Sequence, residues 1–268
     1  MSEEILVNVT PQETRVAMVE NGVLQEVLIE RARSRGLVGN IYKGVVCRVL
    51  PGMQAAFIDA GLERAAFLHA SDIAQPNDEE AAEDRNNITR LLREGQEVLV
   101  QVIKDPLGTK GARLTTHITI PSRYLVLMPG GGNVGVSQKI EDEEERQRLR
   151  DVVLAHAANG HGYIVRTAAE GVSAEALAAD MAFLDKLWAS IMERAREARP
   201  GTIVHEDLPL VSRVLRDLVG IEVEKVRIDS RETFQRLQEF AEKFVPEVRD
   251  KLEYYPGERP VFDLYGVE

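Results

Sequence analysis

The feature that most constrains the fold is a series of five short β-type segments within Gly39–Thr116. Each segment has strand length and many β-branched residues, and Pro51-Gly52 and Gly61 are turn signals between the first three. The five segments are Asn40–Leu50, Met53–Ala60, Arg64–Leu68, Glu97–Lys104 and Arg113–Ile120. Two hairpins, a long connecting segment and a final hairpin predict a closed five-stranded barrel.

Aromatic and basic side chains in these segments are candidates for a nucleic-acid-binding surface. Alternation along the second segment places Phe57 on the face opposite its two neighbours, and Phe67 lies in the next segment. Lys104 and Lys110 flank the turn before the last segment. Single-stranded nucleic acids stack their bases on such rings and bind their phosphates to such cations. Alternation alone is equally compatible with both rings lying in the core.

Four sequence blocks of this region resemble an S1 RNA-binding domain, which is an OB-type barrel. The blocks are Gly-Asn-Ile-Tyr-Lys-Gly-Val-Val (39–46), Ala-Ala-Phe-Ile-Asp-Ala-Gly (55–61), Ala-Phe-Leu-His-Ala-Ser-Asp-Ile (66–73) and Gly-Gln-Glu-Val-Leu-Val-Gln-Val (95–102). We therefore expect residues 36–117 to form this domain. The resemblance implies that Phe57, Phe67 and Lys110 contact RNA, and Lys104 and Tyr42 are further candidates.

Composition excludes several other classes of protein. Hydrophobic residues make up 44% of the 268 residues, which is typical of a globular chain, and the length predicts two or three domains. Because the chain has neither a run of about 18 apolar residues nor a signal-peptide pattern, we expect a soluble, cytoplasmic protein without a membrane span. The single cysteine, Cys47, excludes disulfides and cysteine-rich zinc sites, and its apolar neighbours predict a buried position.

The net charge of −11 argues against RNA binding, because phosphate contacts supply most of the non-specific affinity. However, 10 of the 44 acidic residues lie in two short patches, Asp78–Asp84 and Glu141–Glu145. The rest of the surface is therefore closer to neutral, and local basic clusters are compatible with the charge. The first patch belongs to the polar segment Gln75–Asn87, which we predict to be a mobile loop.

The segments before and after the barrel predict one split α/β domain, formed by residues 1–35 and 213–268. A three-stranded meander with an Asn21-Gly22 hairpin turn is followed, far along the chain, by helix, strand, helix and strand. These elements are Ile5–Val9, Thr14–Glu20, Val23–Glu30, Leu210–Val219, Glu222–Asp229, Glu232–Phe244 and Lys251–Tyr255. Their order is that of a ribonuclease-H-like fold. Such folds often hold catalytic metal ions on carboxylates, but Asn8 stands at the first such position, so we expect a scaffold.

Residues 118–212 predict a further small α/β unit. Its predicted elements are the strand Tyr124–Met128, the helix Asp142–Ala157, the strand Tyr163–Thr167, a long helix capped by Ser173, and the strand Thr202–His205, which would pair with the other strands. Arg166-Thr167 at a strand end is a candidate phosphate site, because a guanidinium binds two phosphate oxygens at once. The Gly130–Gly132 run could approach it. Judged from the residues alone, an Arg-Thr pair at a strand end is more often an ordinary surface pair than a ligand site. The three units together predict a multidomain α+β protein.

Blocks along the whole chain resemble the bacterial ribonuclease E/G family. They are residues 6–16, 38–44, 48–57, 124–129 and 165–168, and the N-terminal blocks favour the ribonuclease G branch. The resemblance implies that the inserted α/β unit is a 5′-sensor for the 5′-monophosphate of an RNA. Arg166 and Thr167 would bind the phosphate and Val126 would contribute its backbone. Ser122 stands where part of the family has a glycine that lines the same pocket.

The resemblance also implies an endoribonuclease of rRNA maturation and mRNA decay, homodimeric or larger, that cuts single-stranded RNA with Mg²⁺. The aspartates that hold this metal lie in an Asp-x-Asn-x-Gly setting, which these 268 residues lack. We therefore expect an N-terminal fragment that recognises RNA, binds no cofactor and does not cleave. The alternative is a self-standing RNA-binding or regulatory module that docks a partner protein of unknown identity. A coding sequence that continues past Glu268 into that motif would favour the first.

Overall fold

The computed structural model describes residues 3–32, 35–74, 87–157, 160–217, 223–257 and 259–267. The acidic patch Asp78–Asp84, and with it nearly all of the predicted mobile loop, lies outside these ranges. The chain forms two compact units, one made of Met1–Gly36 and Leu208–Glu268 and the other of Leu37–Asp207.

Both units contain helices and strands. Strands β1 to β15 are, in chain order, Glu3–Val9, Glu13–Glu20, Val23–Arg31, Ile41–Leu50, Ala55–Asp59, Ala66–His69, Glu97–Lys104, Arg113–Thr115, Ile120–Pro121, Leu125–Met128, Val134–Val136, Gly162–Val165, Thr202–His205, Val223–Ile228 and Leu252–Tyr254. Helices α1 to α6 are Ile88–Leu91, Glu143–His156, Ala174–Glu197, Leu210–Asp217, Arg231–Phe244 and Val261–Leu264. Among the described residues, no helix is long and apolar enough to cross a membrane.

The first unit contains a five-stranded sheet in the order β15-β14-β1-β2-β3. β1 is parallel to β14 and antiparallel to β2, and β14 is parallel to β15. Positive φ angles of 49° and 79° at Asn21 and Gly22 make the tight turn between β2 and β3 that the sequence predicted. Ile5 and Val7 face a core shared with α4 and α5, while Leu6 faces a smaller core shared with α6. Both faces of the central strand are therefore covered.

The second unit contains a barrel of five strands in the order β4-β5-β6-β8-β7, closed by pairing between β4 and β7. The predicted closed barrel of OB type is confirmed. Small and β-branched side chains fill its interior, among them Val46, Ala56, Ile58 and Val100. Gly44 is required where β4 crosses this core, because a Cβ there would lie 2.5 Å from Cγ2 of Ile58.

Two details of the barrel differ from the sequence prediction. The predicted strand Arg113–Ile120 is divided, since residues 113–115 close the barrel and residues 120–121 join another sheet. The buried side-chain amide of Gln101 holds the connecting segment by donating to the carbonyl of Thr119 and accepting from its N–H, both at 2.9 Å. Cys47 is exposed rather than buried, because it follows the buried Val46 and alternation along β4 turns it to the outer face. The bulge between Val46 and Arg48 then shifts the alternation by one residue, so that Arg48 also faces outward.

The rest of the second unit is a four-stranded sheet in the order β11-β12-β10-β9 that packs against α2 and α3. Asp142 caps α2 by accepting from the N–H of Glu144, and Ser173 caps α3 by accepting from the N–H of Ala176. Leu149 of α2 is buried in the shared core. The three-residue strand β11, parallel to β12, was not predicted, because its central glycine weakens the strand pattern.

Strand β13 pairs with β4 of the barrel, whereas the sequence analysis had assigned it to the α/β sheet. Before it, the N–H of Gly201 donates to the carbonyl of Lys43 at 2.7 Å. Ile41 of β4 in turn lies in the core of the α/β part. The barrel and the α/β part are thus joined by a shared strand pairing and a shared core.

Candidate nucleic-acid interface

Phe57 and Phe67 form an aromatic pair on the outer surface of the barrel. They lie directly opposite each other on β5 and β6, and their ring centroids are 6.2 Å apart with an angle of 70° between the ring planes. Both are partly exposed, whereas Ala56, Ile58 and Leu68 beside them are completely buried. The ring of His69 lies 6.5 Å from that of Phe67. This arrangement favours the binding interpretation of the two rings over the core interpretation.

The strand register extends this pair into a line of alternating chemistry. Phe57 is paired with Arg48 on β4, and Phe67 with Arg113 on β8. Arg113 is paired in turn with Lys104 on β7. Side chains of directly paired residues project from the same face of a sheet. We call this line, Arg48–Phe57–Phe67–Arg113–Lys104, the cross-strand row.

The cations of the cross-strand row are not equivalent. Nη2 of Arg113 lies 2.9 Å from Oδ2 of Asp72, so its charge is largely neutralised. Arg48 and Lys104 are exposed, and within the part of the chain that the structure describes neither pairs with a carboxylate. Lys110 is exposed in the turn that precedes β8. Exposed cations therefore lie on and near the cross-strand row although the whole chain is acidic.

Tyr42, a predicted RNA-binding residue, does not belong to this surface. Its side chain points into the barrel, is only 6% exposed and packs in the barrel core. The prediction is wrong because a buried ring cannot stack on a base. Arg48 was missed for a related reason: counted by twos from the buried Val46 it would face the core, and only the bulge turns it outward. Arg113 was also missed, because only the strand register shows that it lies beside Phe67 and Lys104.

Arg166 and Thr167 follow the end of β12 and form the second candidate site. Nη1 of Arg166 donates to the carbonyl of Ser122 at 2.5 Å and to that of Arg123 at 3.4 Å. Thr167 is exposed, and its Oγ1 lies 3.0 Å from Oγ of Ser137. The protein thus fixes the guanidinium beside the turn between β9 and β10, with hydroxyl groups next to it.

Asp180 of α3 also holds this turn. Its Oδ2 accepts from Oγ of Ser122 at 2.5 Å and from the N–H of Tyr124 at 3.1 Å. Burial raises the pKa of the Asp180 carboxyl, while these hydrogen bonds and the charge of Arg166 act in the opposite direction. Ser122 is 2% exposed, and its hydroxyl lies within hydrogen-bond distance of Asp180 and of the carbonyl of Leu125, both of them acceptors. Contrary to prediction, its side chain positions the turn instead of facing a ligand.

The remaining residues of the predicted phosphate site lie at different places in the sheet. The register pairs Leu125 with Val165 and Met128 with Gly162. The Gly130–Gly132 run therefore lies at the end of β12 away from Arg166, and its predicted approach to that residue is wrong. Val126 lies on β10 between the neighbouring strands β9 and β12, close to the turn that Arg166 contacts.

A buried polar cluster marks the first strand of the other unit. Asn8 is 2% exposed, and its Nδ2 donates to Oδ2 of Asp229 at 2.6 Å. Its Oδ1 accepts from Nε and Nη2 of Arg15 at 3.0 and 2.8 Å. Oδ1 of Asp229 accepts from the N–H of Val9 at 2.9 Å. A divalent cation does not fit this donor set, because N–H groups and a guanidinium already occupy the oxygens. No described group of three or more histidine, cysteine or acidic side chains converges elsewhere to hold a metal.

Comparison with known proteins gives two family matches. Residues 37–116 match the S1 RNA binding domain, and residues 119–268 match the Ribonuclease E/G family. Ribonuclease G of Salmonella typhimurium (strain SL1344) is 55% identical over 274 residues, which cover 100% of this chain and 56% of the relative. Ribonuclease G of Escherichia coli (strain K12) is 54% identical with the same coverage. Ribonuclease E of the same strain is 37% identical over 99% of this chain and 26% of the relative. The chain thus spans about half the length of the ribonuclease G relatives.

Proposed function

Because the chain belongs to the ribonuclease E/G family, we propose that it forms the RNA-recognition part of a single-strand-specific endoribonuclease. The family and the greater similarity to its ribonuclease G branch were predicted from sequence blocks, and both are confirmed. The S1 domain makes RNA the ligand class. Roles of the whole enzyme in rRNA maturation and mRNA decay, its Mg²⁺ dependence and its assembly as a homodimer or larger oligomer are part of the proposal.

The aromatic pair on the barrel is the observation that carries the proposal. Two partly exposed rings 6.2 Å apart offer stacking surfaces for bases, flanked by exposed cations for the phosphates. Stacking contributes roughly 1–3 kcal/mol per base and works for every base, so the barrel should bind single strands with little sequence preference.

We further propose that Arg166 and Thr167 bind the 5′-monophosphate. The carbonyl oxygens of Ser122 and Arg123 orient the guanidinium, and a fixed guanidinium can bridge two phosphate oxygens at little entropic cost. The hydroxyl of the exposed Thr167 and the backbone near Val126 would complete the contact. Asp180 and Ser122 serve as positioning residues in this proposal.

The split domain is proposed to be a ribonuclease-H-like scaffold. The strand order, with one antiparallel strand between β1 and β3 and two parallel strands on the other side, supports that assignment. The hydrogen bonds between Asn8, Arg15 and Asp229 support a structural role for its first strand. We place no step of catalysis on these residues.

Removing the rings one at a time tests the RNA-binding proposal. Phe57→Ala and Phe67→Ala should each weaken binding of a 12-nucleotide oligouridine by about tenfold, since one stacking surface is lost. The melting temperature should change little, because both rings are partly exposed. Fluorescence anisotropy and thermal unfolding measure the two quantities, and Leu107→Ala, which removes an exposed apolar side chain from a neighbouring turn, is the control. Unchanged affinity together with a large loss of stability would show that the rings are core residues.

A further inference from the structure

We infer that Arg48 is an additional RNA-binding residue, whose guanidinium binds the phosphate next to the base that stacks on Phe57. The inference rests on the proposed RNA-binding function of the barrel and extends it to a residue outside the predicted set. It follows from the position, the exposure and the charge of Arg48.

The position of Arg48 is fixed by the pairing of β4 with β5. Its Cα is paired with that of Phe57, and paired side chains of neighbouring strands lie about 5 Å apart on the same face. The bulge at Cys47 puts Arg48 in phase with the outer surface, and the side chain is exposed. Bulges often serve to redirect a side chain in this way. Arg48 therefore ends the cross-strand row on the side of Phe57, as Lys104 ends it on the side of Phe67.

The charges along the cross-strand row favour Arg48 as a phosphate ligand. Arg113, on the other side of the aromatic pair, shares its charge with Asp72. Arg48 has no ion pair, hydrogen bond or ring contact within the part of the chain that the structure describes. A guanidinium without a protein partner can offer two parallel N–H groups to a phosphodiester. A strand of RNA laid along the row would thus meet a cation before and after its two stacked bases.

The same observations give Arg48 no structural hydrogen bond or ion pair among the described residues. The side chain is exposed there, so its removal should leave the fold largely unchanged. If Arg48 binds a phosphate, its removal should instead change the salt dependence of RNA binding. Each phosphate contact with a single strand contributes about 0.7 to the slope of log K against log salt concentration.

The test measures binding of a 12-nucleotide oligouridine with a 5′-hydroxyl end by the 268-residue chain, at several salt concentrations. The 5′-hydroxyl keeps the proposed phosphate sensor out of the measurement. Arg48→Ala should weaken binding several-fold and reduce the magnitude of the salt slope by about 0.7, while Arg48→Lys should keep the slope. Arg196→Ala, which removes an equal charge from the exposed last turn of α3, should change neither quantity.

Three outcomes would overturn the inference. If Arg48→Ala keeps the affinity and slope while Phe57→Ala loses affinity, the barrel binds RNA without Arg48. If Arg196→Ala has the same effect as Arg48→Ala, only net charge is being measured. If Phe57→Ala also binds normally, the proposed function of the barrel fails and the inference fails with it. Thermal unfolding of each variant verifies that the fold is intact.

Discussion

The guanidinium of Arg166 is oriented before any ligand arrives. Two carbonyl oxygens of one turn accept from it, and Asp180 accepts hydrogen bonds from the same turn. A preorganised donor loses less entropy on binding than a free one. In the proposed site, Arg166 would contact the phosphate and the residues around it would hold its guanidinium in place.

Arg166→Ala should abolish the preference for a 5′-monophosphate. A charge-assisted hydrogen bond contributes about 1.5–3 kcal/mol, so the preference should fall by at least tenfold. The measurement compares the affinity of one short RNA with 5′-monophosphate, 5′-hydroxyl and 5′-triphosphate ends. Arg150→Ala, a partly exposed arginine of α2 whose guanidinium contacts Gln147, removes the same charge and serves as the control. A variant that still prefers the monophosphate would place the sensor elsewhere.

At single positions, local alternation predicted that Phe57 lies on the face opposite Ala56 and Ile58, and the structure has it there. Alternation did not indicate which face is exposed, and for that the family resemblance was needed. The orientations of Tyr42 and Cys47 were mispredicted because they depend on where β4 starts its alternation, and Arg48 was missed because no local pattern indicates the bulge before it. Ser122 was misjudged because its hydrogen-bond partner is 58 residues away in the sequence.

At the level of elements, long strands and long helices were predicted within a few residues. The failures concern short strands whose partners are distant. β8 and β9 were predicted as one strand, and β13 was assigned to the wrong sheet. A strand of two to four residues carries too little periodicity to define its partner, which is chosen by tertiary contacts.

The junction beside β13 can be tested at Gly61. This residue has a φ of 74°, and a Cβ there would lie 2.0 Å from the carbonyl oxygen of Gly201. Gly61→Ala should therefore destabilise the chain by more than the roughly 1 kcal/mol expected for a positive φ alone, with a clear fall in the midpoint of denaturant unfolding. Gly22→Ala is the matched control, because its φ is 79° and its Cβ would meet open space. Equal losses for the two variants would contradict the close approach to Gly201.

For the molecule as a whole, net charge is a poor guide to function. The charge of −11 suggests a chain that repels RNA, yet the barrel presents exposed cations around two accessible rings. Some acidic side chains are neutralised by ion pairs within the protein. In α2, Arg148 donates to both carboxylate oxygens of Glu145. Together with the N–H of Gly171, it lowers the pKa of Glu145 to about 2. Local arrangement decides what the surface can bind.

This chain by itself should show no Mg²⁺-dependent ribonuclease activity. Hydrolysis of a phosphodiester by metal ions needs several anionic ligands that converge on the ion and the attacking water. Asn8 and its neighbours do not provide such ligands. The amide oxygen of Asn8 accepts from Arg15, and its amide N–H donates to Asp229. Incubation of the purified chain with a 5′-monophosphorylated single-stranded RNA and Mg²⁺ should yield no product above background, while full-length Escherichia coli ribonuclease G cleaves the same RNA. Cleavage that needs the metal, survives Asn8→Ala and disappears when another carboxylate of this chain is replaced would reveal a catalytic site within these 268 residues.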